Sequence, residues 1–187
     1  MLIAGIDEAG RGPLAGPVVA ACVILKPNYI NKEITDSKKL SKKKREILYT
    51  EIINNALAYS IIAVGHKRID QLNIREATKL AMSIAARKVV ADKYIIDGNM
   101  LINTESPQEA IVKGDSKFIE ISAASILAKT YRDNLMVVLD KKYPNYNFSK
   151  HAGYPTKEHK KCIADFGPTP VHRKTFRGVR EFTNLSY

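Results

Sequence analysis

The chain opens with two short apolar runs that are separated by a turn rich in glycine and proline. Residues 2–6 and 18–25 are almost wholly apolar, which predicts two buried β-strands. The first run is followed at once by two adjacent carboxylates, Asp7 and Glu8. Because a buried carboxylate needs a partner or solvent, this strand end is a candidate site for a hard divalent cation.

Strand and helix patterns alternate after this pair. Residues 58–64, 93–97 and 110–112 predict three further strands. Ser41 and Asn73 are suited to be the N-caps of two helices, the second of which is expected to reach about residue 91. A helix rich in small residues is predicted from Asp115 to about residue 141. This order predicts an α/β fold with a mixed sheet flanked by helices.

The last quarter of the chain has a different pattern. Pro144 ends the long helix, and Thr156 can cap a helix that stops at Gly167. A basic tail follows at residues 172–180. We therefore expect a main α/β domain of residues 1–143 and a small helical and basic extension of residues 144–187 that packs on it.

The charge of the chain favours an acidic partner. Its 187 residues include 30 Lys and Arg against 19 Asp and Glu, a net charge of +11. Nucleic acid is the common partner of such a protein; charge by itself does not exclude solubility as the explanation, but the acids at strand ends favour the nucleic-acid partner. The basic run at residues 42–45 is open to both interpretations, as a solvated helical face or as a contact for phosphates.

Other features limit the compartment. Cys22 and Cys162 lie far apart and lack metal-ligand spacing, which indicates a reducing environment. No apolar run approaches the roughly 20 residues of a membrane span, and no signal sequence opens the chain. We expect a monomeric cytoplasmic protein that does not bind membranes. The histidines show no ligand spacing and receive no role; they are His66, His151, His159 and His172.

Two more carboxylates follow predicted strands. Asp97 and Asp115 each have an ordinary explanation, as a turn former before Gly98 and as a helix N-cap. If the strand ends meet at one sheet edge, however, they join Asp7 and Glu8, and four carboxylates repel strongly unless cations bind. Two Mg²⁺ or Mn²⁺ ions roughly 3.5–4 Å apart would neutralise them and support metal-assisted phosphodiester hydrolysis.

One geometric difficulty accompanies this prediction. Successive strand residues point to opposite faces, so Asp7 and Glu8 can share a metal only if the strand twists or ends there. Ala9 and Gly10 would allow that. Residues 10–15 also match a dinucleotide-binding fingerprint, but that fingerprint should open a helix, whereas prolines and a predicted strand follow here, so we reject it.

The N-terminal stretch closely resembles the signature of ribonuclease HII, the type 2 ribonuclease H family. The resemblance is gapless over Gly5-Ile6-Asp7-Glu8-Ala9-Gly10-Arg11-Gly12-Pro13-Leu14-Ala15-Gly16-Pro17-Val18. It continues in separate blocks at Asp36-Ser37-Lys38, Ile96-Asp97-Gly98, Asp115 with residues 121–129, Gly153-Tyr154-Pro155-Thr156, and Gly167-Pro168 with His172-Arg173. These blocks cover nearly the whole chain.

The resemblance implies a ribonuclease H-like fold, with three antiparallel strands followed by parallel ones, and it implies roles for particular residues. The metal-binding catalytic acids would be Asp7, Glu8, Asp97 and Asp115, and the cofactor Mg²⁺ or Mn²⁺. The substrate would be bound by Gly10, Arg11, Gly12, Tyr154, Ser37 and Lys38. The glycine-flanked loop would sense the ribose 2′-hydroxyl, which separates RNA from DNA. Tyr154 would pack beside the RNA-to-DNA junction. Its ordinary role would be that of an aromatic residue in a turn, packed on the C-terminal helix.

The activity implied is that of an endonuclease. It would cleave the RNA strand of RNA–DNA hybrids and cut 5′ to single ribonucleotides in duplex DNA, leaving 3′-hydroxyl and 5′-phosphate ends. The type 3 relatives carry an extra N-terminal domain, which we expect this chain to lack because its catalytic strand begins at Leu2. Two rivals remain: a related nuclease for another structured nucleic acid, and a binding module that lost turnover. Retention of all four acids argues against the second.

Overall fold

The computed structural model describes residues 1–183 and contains one five-stranded sheet. The strands are β1 (Ile3–Ala9), β2 (Val18–Leu25), β3 (Ala56–Val64), β4 (Lys93–Asp97) and β5 (Gln108–Ile111). Their spatial order is β3-β2-β1-β4-β5. The first three are antiparallel neighbours, while β4 is parallel to β1 and β5 is parallel to β4. The predicted mixed sheet is confirmed.

Helices cover both faces of the sheet. They are α1 (Lys42–Asn55), α2 (His66–Leu72), α3 (Ile74–Arg87), α4 (Ile119–Lys142), α5 (Phe148–His151) and α6 (Lys157–Phe166). Within residues 1–183, none of these helices has the length and apolar character needed to cross a membrane. Side chains at the predicted caps bond the first turns: Ser41 accepts from the Lys44 amide, Asn73 from Glu76 and Thr156 from His159. Each such cap stabilises its helix by about 1 kcal/mol.

The alternation of side chains along β2 builds two separate cores. Val18, Ala20, Cys22 and Ile24 pack with α3 on one face of the sheet. Val19, Ala21 and Val23 pack with α1 and α4 on the other face. Because both faces are covered, β2 is buried at every position, and its apolar run in the sequence reflects this.

The approach of α4 to the sheet is unusually close at one point. A Cβ atom added at Gly5 of β1 would overlap the backbone of Glu120 in α4. A glycine is therefore required where this helix crosses the strand. The consequence is that the first turns of α4 lie directly against the end of β1 that carries the carboxylates.

The C-terminal segment packs on the turn that follows β1. Leu14 and Ala15 share an apolar cluster with Met136 of α4 and with the C-terminal Tyr146, Phe148, Cys162, Ile163 and Val179. The division of the chain near residue 143 stays a prediction. Residues 184–187 of the predicted extension lie outside the described residues.

Several predicted boundaries were wrong. The first strand does not end at residue 6 but at Ala9, because Ala9 still pairs with Val19 of β2. Helix α3 stops at Arg87 rather than near residue 91. Asp115 does not open the long helix: it lies in a 3₁₀ turn, Gly114–Ser116, and α4 starts at Ile119. The last strand is Gln108–Ile111 rather than residues 110–112.

Candidate active site

Three aspartates from different elements meet at one edge of the sheet. Asp7 lies near the end of β1, Asp97 is the last residue of the parallel neighbour β4, and Asp115 lies in the turn after β5. One carboxylate oxygen from each lies within 4.8 Å of the others. The parallel pairing of β1 and β4 explains this, since it brings the carboxyl ends of both strands to the same edge.

Backbone hydrogen bonds hold the cluster in place. Asp97 Oδ1 accepts from the amide of Gly114 at 2.7 Å and from that of Asp115 at 3.4 Å. Asp7 Oδ1 accepts from the amide of Glu8 at 2.7 Å. The turn that carries Asp115 is thus tied to the carboxylate of Asp97, so that the two acids are positioned together.

The cluster concentrates negative charge in a buried place. Burial raises the pKa of Asp7 well above its usual range, and the nearby Glu8 and Asp97 raise it further. Burial, then Asp97 and Asp36, also raise the pKa of Asp115. Among residues 1–183, the one Lys or Arg nitrogen within 4 Å of these aspartates is Lys38 Nζ, 3.9 Å from Asp115 Oδ2. Burial and mutual repulsion therefore both oppose ionisation of Asp7 and Asp115.

Glu8 has a different position from the aspartates. Its carboxylate lines the same cavity but is not among the acids whose oxygens lie within 4.8 Å of one another. Glu8 Oε1 lies 3.5 Å from Arg11 Nη1. Burial and Asp97 raise the pKa of Glu8, although Arg11 opposes the shift. Strand β1 continues through Glu8, so Asp7 and Glu8 are successive strand residues whose side chains point to opposite faces. The geometric difficulty for a metal shared by these two acids is therefore present in the structure.

A cavity of about 200 Å³ joins the acids to the glycine-flanked loop. It is lined by Asp7, Glu8, Ala9, Gly10, Arg11, Gly12, Ser37, Lys38, Asp97, Ser125, Lys129 and Tyr154. Nine of the ten predicted site residues therefore line one cavity, and the tenth, Asp115, reaches it through the aspartate cluster.

Two buried arginines lie beneath the loop. Arg173 donates to the carbonyl oxygens of Gly10 at 2.6 Å and Arg11 at 2.9 Å, and also to those of Gly16 and Pro17. Arg132 donates to the carbonyls of Pro17, Ala152 and Ala15. Within the described part of the chain neither guanidinium contacts a carboxylate. Burial lowers the pKa of both groups, to about 9 for Arg173 and about 10 for Arg132.

The backbone of Gly10 has a conformation that this packing requires. Its φ of +96° is one that residues with a side chain rarely adopt, and an added Cβ would overlap Nε of Arg132. The glycine therefore allows the loop to pass directly over the buried arginine. Any substitution at Gly10 would displace either the loop or the guanidinium.

Tyr154 faces the loop from the C-terminal segment. A Cβ added at Gly12 would lie 3.6 Å from Tyr154 Cε1. Lys129 Nζ and Arg132 Cζ lie 5.8 and 6.0 Å from the centroid of the tyrosine ring. Tyr154 is 40% exposed, so that its ring is available at the rim of the cavity while cations stand beside it.

The two residues of the Asp36-Ser37-Lys38 block differ in exposure. Ser37 is buried, and its Oγ lies 2.9 Å from Oγ of Ser125 in α4. Lys38 has a mostly exposed side chain beside the acids. Burial opposes protonation of Lys38, but Asp115, Asp36, Asp7 and Asp97 together raise its pKa.

Known proteins are similar to this chain along nearly its whole length. The sequence profile of the family described as Ribonuclease HII matches residues 4–179. The chain belongs to the ribonuclease HII family. A ribonuclease HII of Francisella tularensis subsp. tularensis (strain WY96-3418) is 53% identical over 186 residues, which are 98% of this chain and 100% of that protein.

Solved structures agree with this membership. The ribonuclease H2 of Pyrococcus horikoshii OT3 has a TM-score of 0.83 at 27% identity and covers 97% of each chain. The crystal structure of Bst-RNase HIII in complex with Mn²⁺ has a TM-score of 0.70 at 17% identity, covers 98% of this chain and 69% of that one, and shows the shared fold. As a member of the ribonuclease HII family the protein is a ribonuclease H, a hydrolase that acts on RNA–DNA hybrids.

The residues of this ribonuclease fit a divalent cation. The cluster offers carboxylate oxygens, which are the ligands that Mg²⁺ and Mn²⁺ prefer. It is buried and carries an excess of negative charge, which a cation would neutralise. In the part of the chain that the structure describes, the one lysine or arginine nitrogen that could serve the same purpose is Lys38 Nζ, 3.9 Å from Asp115.

Sequence reasoning missed several residues around the cavity. Ser125 and Lys129 lie one helical turn apart on α4, and they are polar positions in an otherwise small and apolar stretch, which is a usable signal. Arg132 gave no such signal, and Arg173 gave none beyond its place in the His172-Arg173 block, because a buried arginine and an exposed one look alike in a basic sequence. Lys129 pairs with Asp133, which also pairs with Arg45.

Proposed function

We propose that this ribonuclease cuts on the 5′ side of a single ribonucleotide embedded in duplex DNA, in addition to cleaving RNA–DNA hybrids, and that it leaves 3′-hydroxyl and 5′-phosphate ends. The observation that carries the proposal is the arrangement of one cavity. The aspartate cluster, the loop of residues 10–12 and Tyr154 all border it. A scissile phosphate, a ribose hydroxyl and a neighbouring sugar can therefore be contacted at the same time.

We assign the binding of the metal to the four acids. Asp7, Asp97 and Asp115 would hold the divalent ions, with Glu8 completing the set from the adjoining position on β1. Such ions, when bound, supply charge stabilisation at a phosphoryl oxygen and lower the pKa of water. The protein contributes the placement: hydrogen bonds from the Gly114 and Asp115 amides orient Asp97, and the Glu8 amide orients Asp7.

We assign recognition of the ribose 2′-hydroxyl to the loop of residues 10–12. Arg173 binds the carbonyl oxygens of Gly10 and Arg11, and in a trans peptide the N–H that follows a carbonyl points the opposite way. The amides of Arg11 and Gly12 therefore point away from the buried guanidinium. Amides so oriented suit a hydroxyl or phosphate oxygen, because each can approach without a bulky side chain from the two glycines.

The remaining residues are assigned to the nucleic acid around the cut. Tyr154 would pack against the sugar that follows the ribonucleotide, where an aromatic face favours a deoxyribose. Lys38 would contact a phosphate, since its side chain is mostly exposed beside the acids. Ser37 would act from its buried position, by holding the Lys38 turn against Ser125.

The test uses a DNA duplex that carries one ribonucleotide, an all-DNA duplex of the same sequence, and an RNA–DNA hybrid. Each is incubated with Mg²⁺, Mn²⁺ or chelator, and the product ends are identified by ligation and by phosphatase treatment. The proposal expects metal-dependent cutting 5′ to the ribonucleotide and none in the all-DNA duplex. Cutting of the hybrid alone would overturn it, and cutting of both duplexes would remove the sensing role of the loop.

The expected monomeric state, the cytoplasmic location, the choice between Mg²⁺ and Mn²⁺ and the boundary at residue 143 stay predictions. Light scattering coupled to gel filtration measures the oligomeric state directly. Metal titration of the cleavage rate distinguishes the two ions.

A further inference from the structure

Three histidines that are not part of the acid site lie together beneath Tyr154. His159 and His172 are fully buried, and His151 is 9% exposed. The rings of His151 and His159 stack with centroids 4.5 Å apart, and those of His159 and His172 lie 5.1 Å apart. The only metal-like cluster among residues 1–183 is that of the aspartates, so the three rings are not arranged around an ion.

The hydrogen bonds of two of these rings form a chain with a single direction. The amide of Thr169 donates to His172 Nδ1 at 2.9 Å, and a backbone N–H can only donate, so this nitrogen carries no proton. His159 Nδ1 lies 2.9 Å from the carbonyl oxygen of Tyr154, which can only accept, so this nitrogen is protonated. The two Nε2 atoms are 2.9 Å apart.

These two ends determine the middle of the chain. In a neutral imidazole one nitrogen donates and the other accepts. Nε2 of His172 must therefore donate, and Nε2 of His159 must accept. Both rings are satisfied at each nitrogen in this one arrangement, and the chain runs from Thr169 through both histidines to the Tyr154 carbonyl.

Burial keeps the chain neutral. It lowers the pKa of His159 to about 4 and that of His172 to about 3, with hydrogen bonds to the Tyr154 and Thr169 backbone opposing the shift. Protonation of His159 Nε2 would set it against the Nε2–H of His172, and protonation of His172 Nδ1 would set it against the Thr169 amide. The directed chain is therefore intact at neutral pH.

The backbone of Tyr154 is held from the other side as well. Its amide donates to the carbonyl of His151 at 2.9 Å, and the amide of Gly153 donates to His151 Nδ1 at 3.1 Å. The main chain of residues 153–154 is thus bound by two histidines, while the Tyr154 ring stays exposed at the rim of the cavity and faces Gly12. These hydrogen bonds fix the position of the backbone from which the Tyr154 ring projects.

We propose that the His172–His159 pair is a positioning device for Tyr154, and so determines how strongly the enzyme favours a ribonucleotide-to-deoxynucleotide junction. This inference rests on the role proposed above for Tyr154. Neither His159 nor His172 lines the cavity, so they act through the tyrosine backbone rather than on the substrate. Displacement of a positioning group by about 1 Å can cost up to about a hundredfold in rate.

Two substitutions of His159 separate the two bonds of its ring. Asparagine places its amide near the position of Nδ1 and can still donate to the Tyr154 carbonyl. Glutamine reaches the position of Nε2 and can still accept from His172, but it leaves the carbonyl without that donor. His159→Asn and His159→Gln replace the ring with amides of the same chemistry, so that they are matched controls for one another.

The position of the tyrosine is measured directly by ¹⁹F NMR on protein in which the nine tyrosines are replaced by 3-fluorotyrosine. The Tyr154 signal is assigned by its loss in Tyr154→Phe. We expect the signal to shift or broaden in His159→Gln and to stay in place in His159→Asn. A Tyr154 signal that does not move in His159→Gln, or that moves equally in both variants, would overturn the inference.

Kinetics give the second measurement. On the duplex with one ribonucleotide, kcat should fall about tenfold in His159→Gln with little change in KM, and by less than about threefold in His159→Asn. In a Tyr154→Ala background His159→Gln should cost nothing further, because the residue through which it acts is gone. An equal cost in that background contradicts the proposal.

A last pair of variants covers failure to fold. If His159→Gln does not give a cooperative thermal transition, two variants of His172 are compared instead. His172→Gln keeps a donor to His159, whereas His172→Asn keeps only the hydrogen bond from the Thr169 amide. We expect His172→Asn alone to displace the Tyr154 signal. If the wild-type enzyme does not cut the embedded ribonucleotide, the proposed function fails, while the ¹⁹F comparison still decides the role of the histidines.

Discussion

Arg173 Nη2 donates a hydrogen bond of 2.6 Å to the carbonyl oxygen of Gly10, although the two residues are 163 positions apart in the sequence. The C-terminal segment thereby holds the loop that follows the first strand. The same guanidinium binds three further carbonyl oxygens, of Arg11, Gly16 and Pro17. The loop of the candidate active site is therefore supported by a residue that is distant in the sequence.

Arg173→Lys should destabilise the protein by about 3 kcal/mol or more. A single ammonium cannot reach all four carbonyl oxygens, and each buried acceptor left without a donor costs about 1–3 kcal/mol. Urea unfolding measures the loss. Arg177→Lys, at an exposed position in the same tail, is the control and should change stability by less than about 0.5 kcal/mol. Equal effects of the two substitutions would contradict the supporting role of Arg173.

Asp7→Asn should abolish cleavage without abolishing binding. If Asp7 holds the metal as proposed, its loss is expected to lower kcat by about a thousandfold or more, equivalent to roughly 4 kcal/mol in the transition state. The affinity for an RNA–DNA hybrid should stay within about threefold in a gel-shift or anisotropy measurement, since the basic residues that are proposed to contact phosphates are unchanged. Retained turnover would remove Asp7 from the metal site.

The same variant should respond differently to metal. In chelator, Asp7→Asn should unfold at a higher temperature than the wild type, because it removes one of several repelling buried carboxylates. Saturating Mg²⁺ or Mn²⁺ should stabilise the wild type by about 2.7 kcal/mol at a hundred times its Kd, and should stabilise the variant much less. Glu105→Gln, at an exposed acid away from the cavity, should keep the wild-type metal response.

Arg11→Ala should weaken discrimination more than stability. The Arg11 side chain is half exposed and contacts Glu8 rather than the core. We expect kcat/KM on the duplex with one ribonucleotide, relative to that on the all-DNA duplex, to fall about tenfold, and the thermal midpoint to change little. Arg75→Ala, on the exposed side of α3, serves as the control for lost positive charge. An unchanged substrate preference in Arg11→Ala would count against the sensing loop.

The buried histidines should make the protein sensitive to acid. Burial lowers the pKa values of His159 and His172 to about 4 and about 3, whereas histidines in the unfolded chain titrate near about 6.5. Above about pH 6.5 neither the folded protein nor the unfolded chain binds these protons, so the free energy of unfolding has its full value. Below it the unfolded chain binds them and the folded protein does not, so stability is lost as the pH falls toward about 4 and 3.

The expected slope is about 1.4 kcal/mol per pH unit for each excess proton that the unfolded chain binds. It is measured by urea unfolding between about pH 7 and pH 4. His172→Asn removes one of the two histidines that bind a proton only in the unfolded chain, and it leaves the carboxylates of the site in place. The difference between the wild-type and variant curves of unfolding free energy against pH therefore isolates His172. Parallel curves would show that His172 is not held neutral by burial.

The order of strands and helices could be predicted because it rests on local patterns. Apolar runs gave five strands, and short polar side chains before helical spacing gave the caps at Ser41, Asn73 and Thr156. Acids directly after strands predicted the cluster, since parallel neighbours bring their ends to one edge. The boundary errors at Ala9 and Asp115 arose because ladder pairing and turn geometry depend on neighbours that the local sequence does not contain.

The sequence by itself determined the class of fold, the identity of the acids and the resemblance that carried their roles, because periodicity, capping and strand-end acids are properties of neighbouring residues. Tertiary structure decided which polar residues are buried and what they hold. Arg173 lies beneath Gly10, Ser37 turns inward to Ser125, and His159 bonds the Tyr154 carbonyl. Such contacts follow from long-range packing and from the need of each buried donor for an acceptor, which no pattern along the chain records.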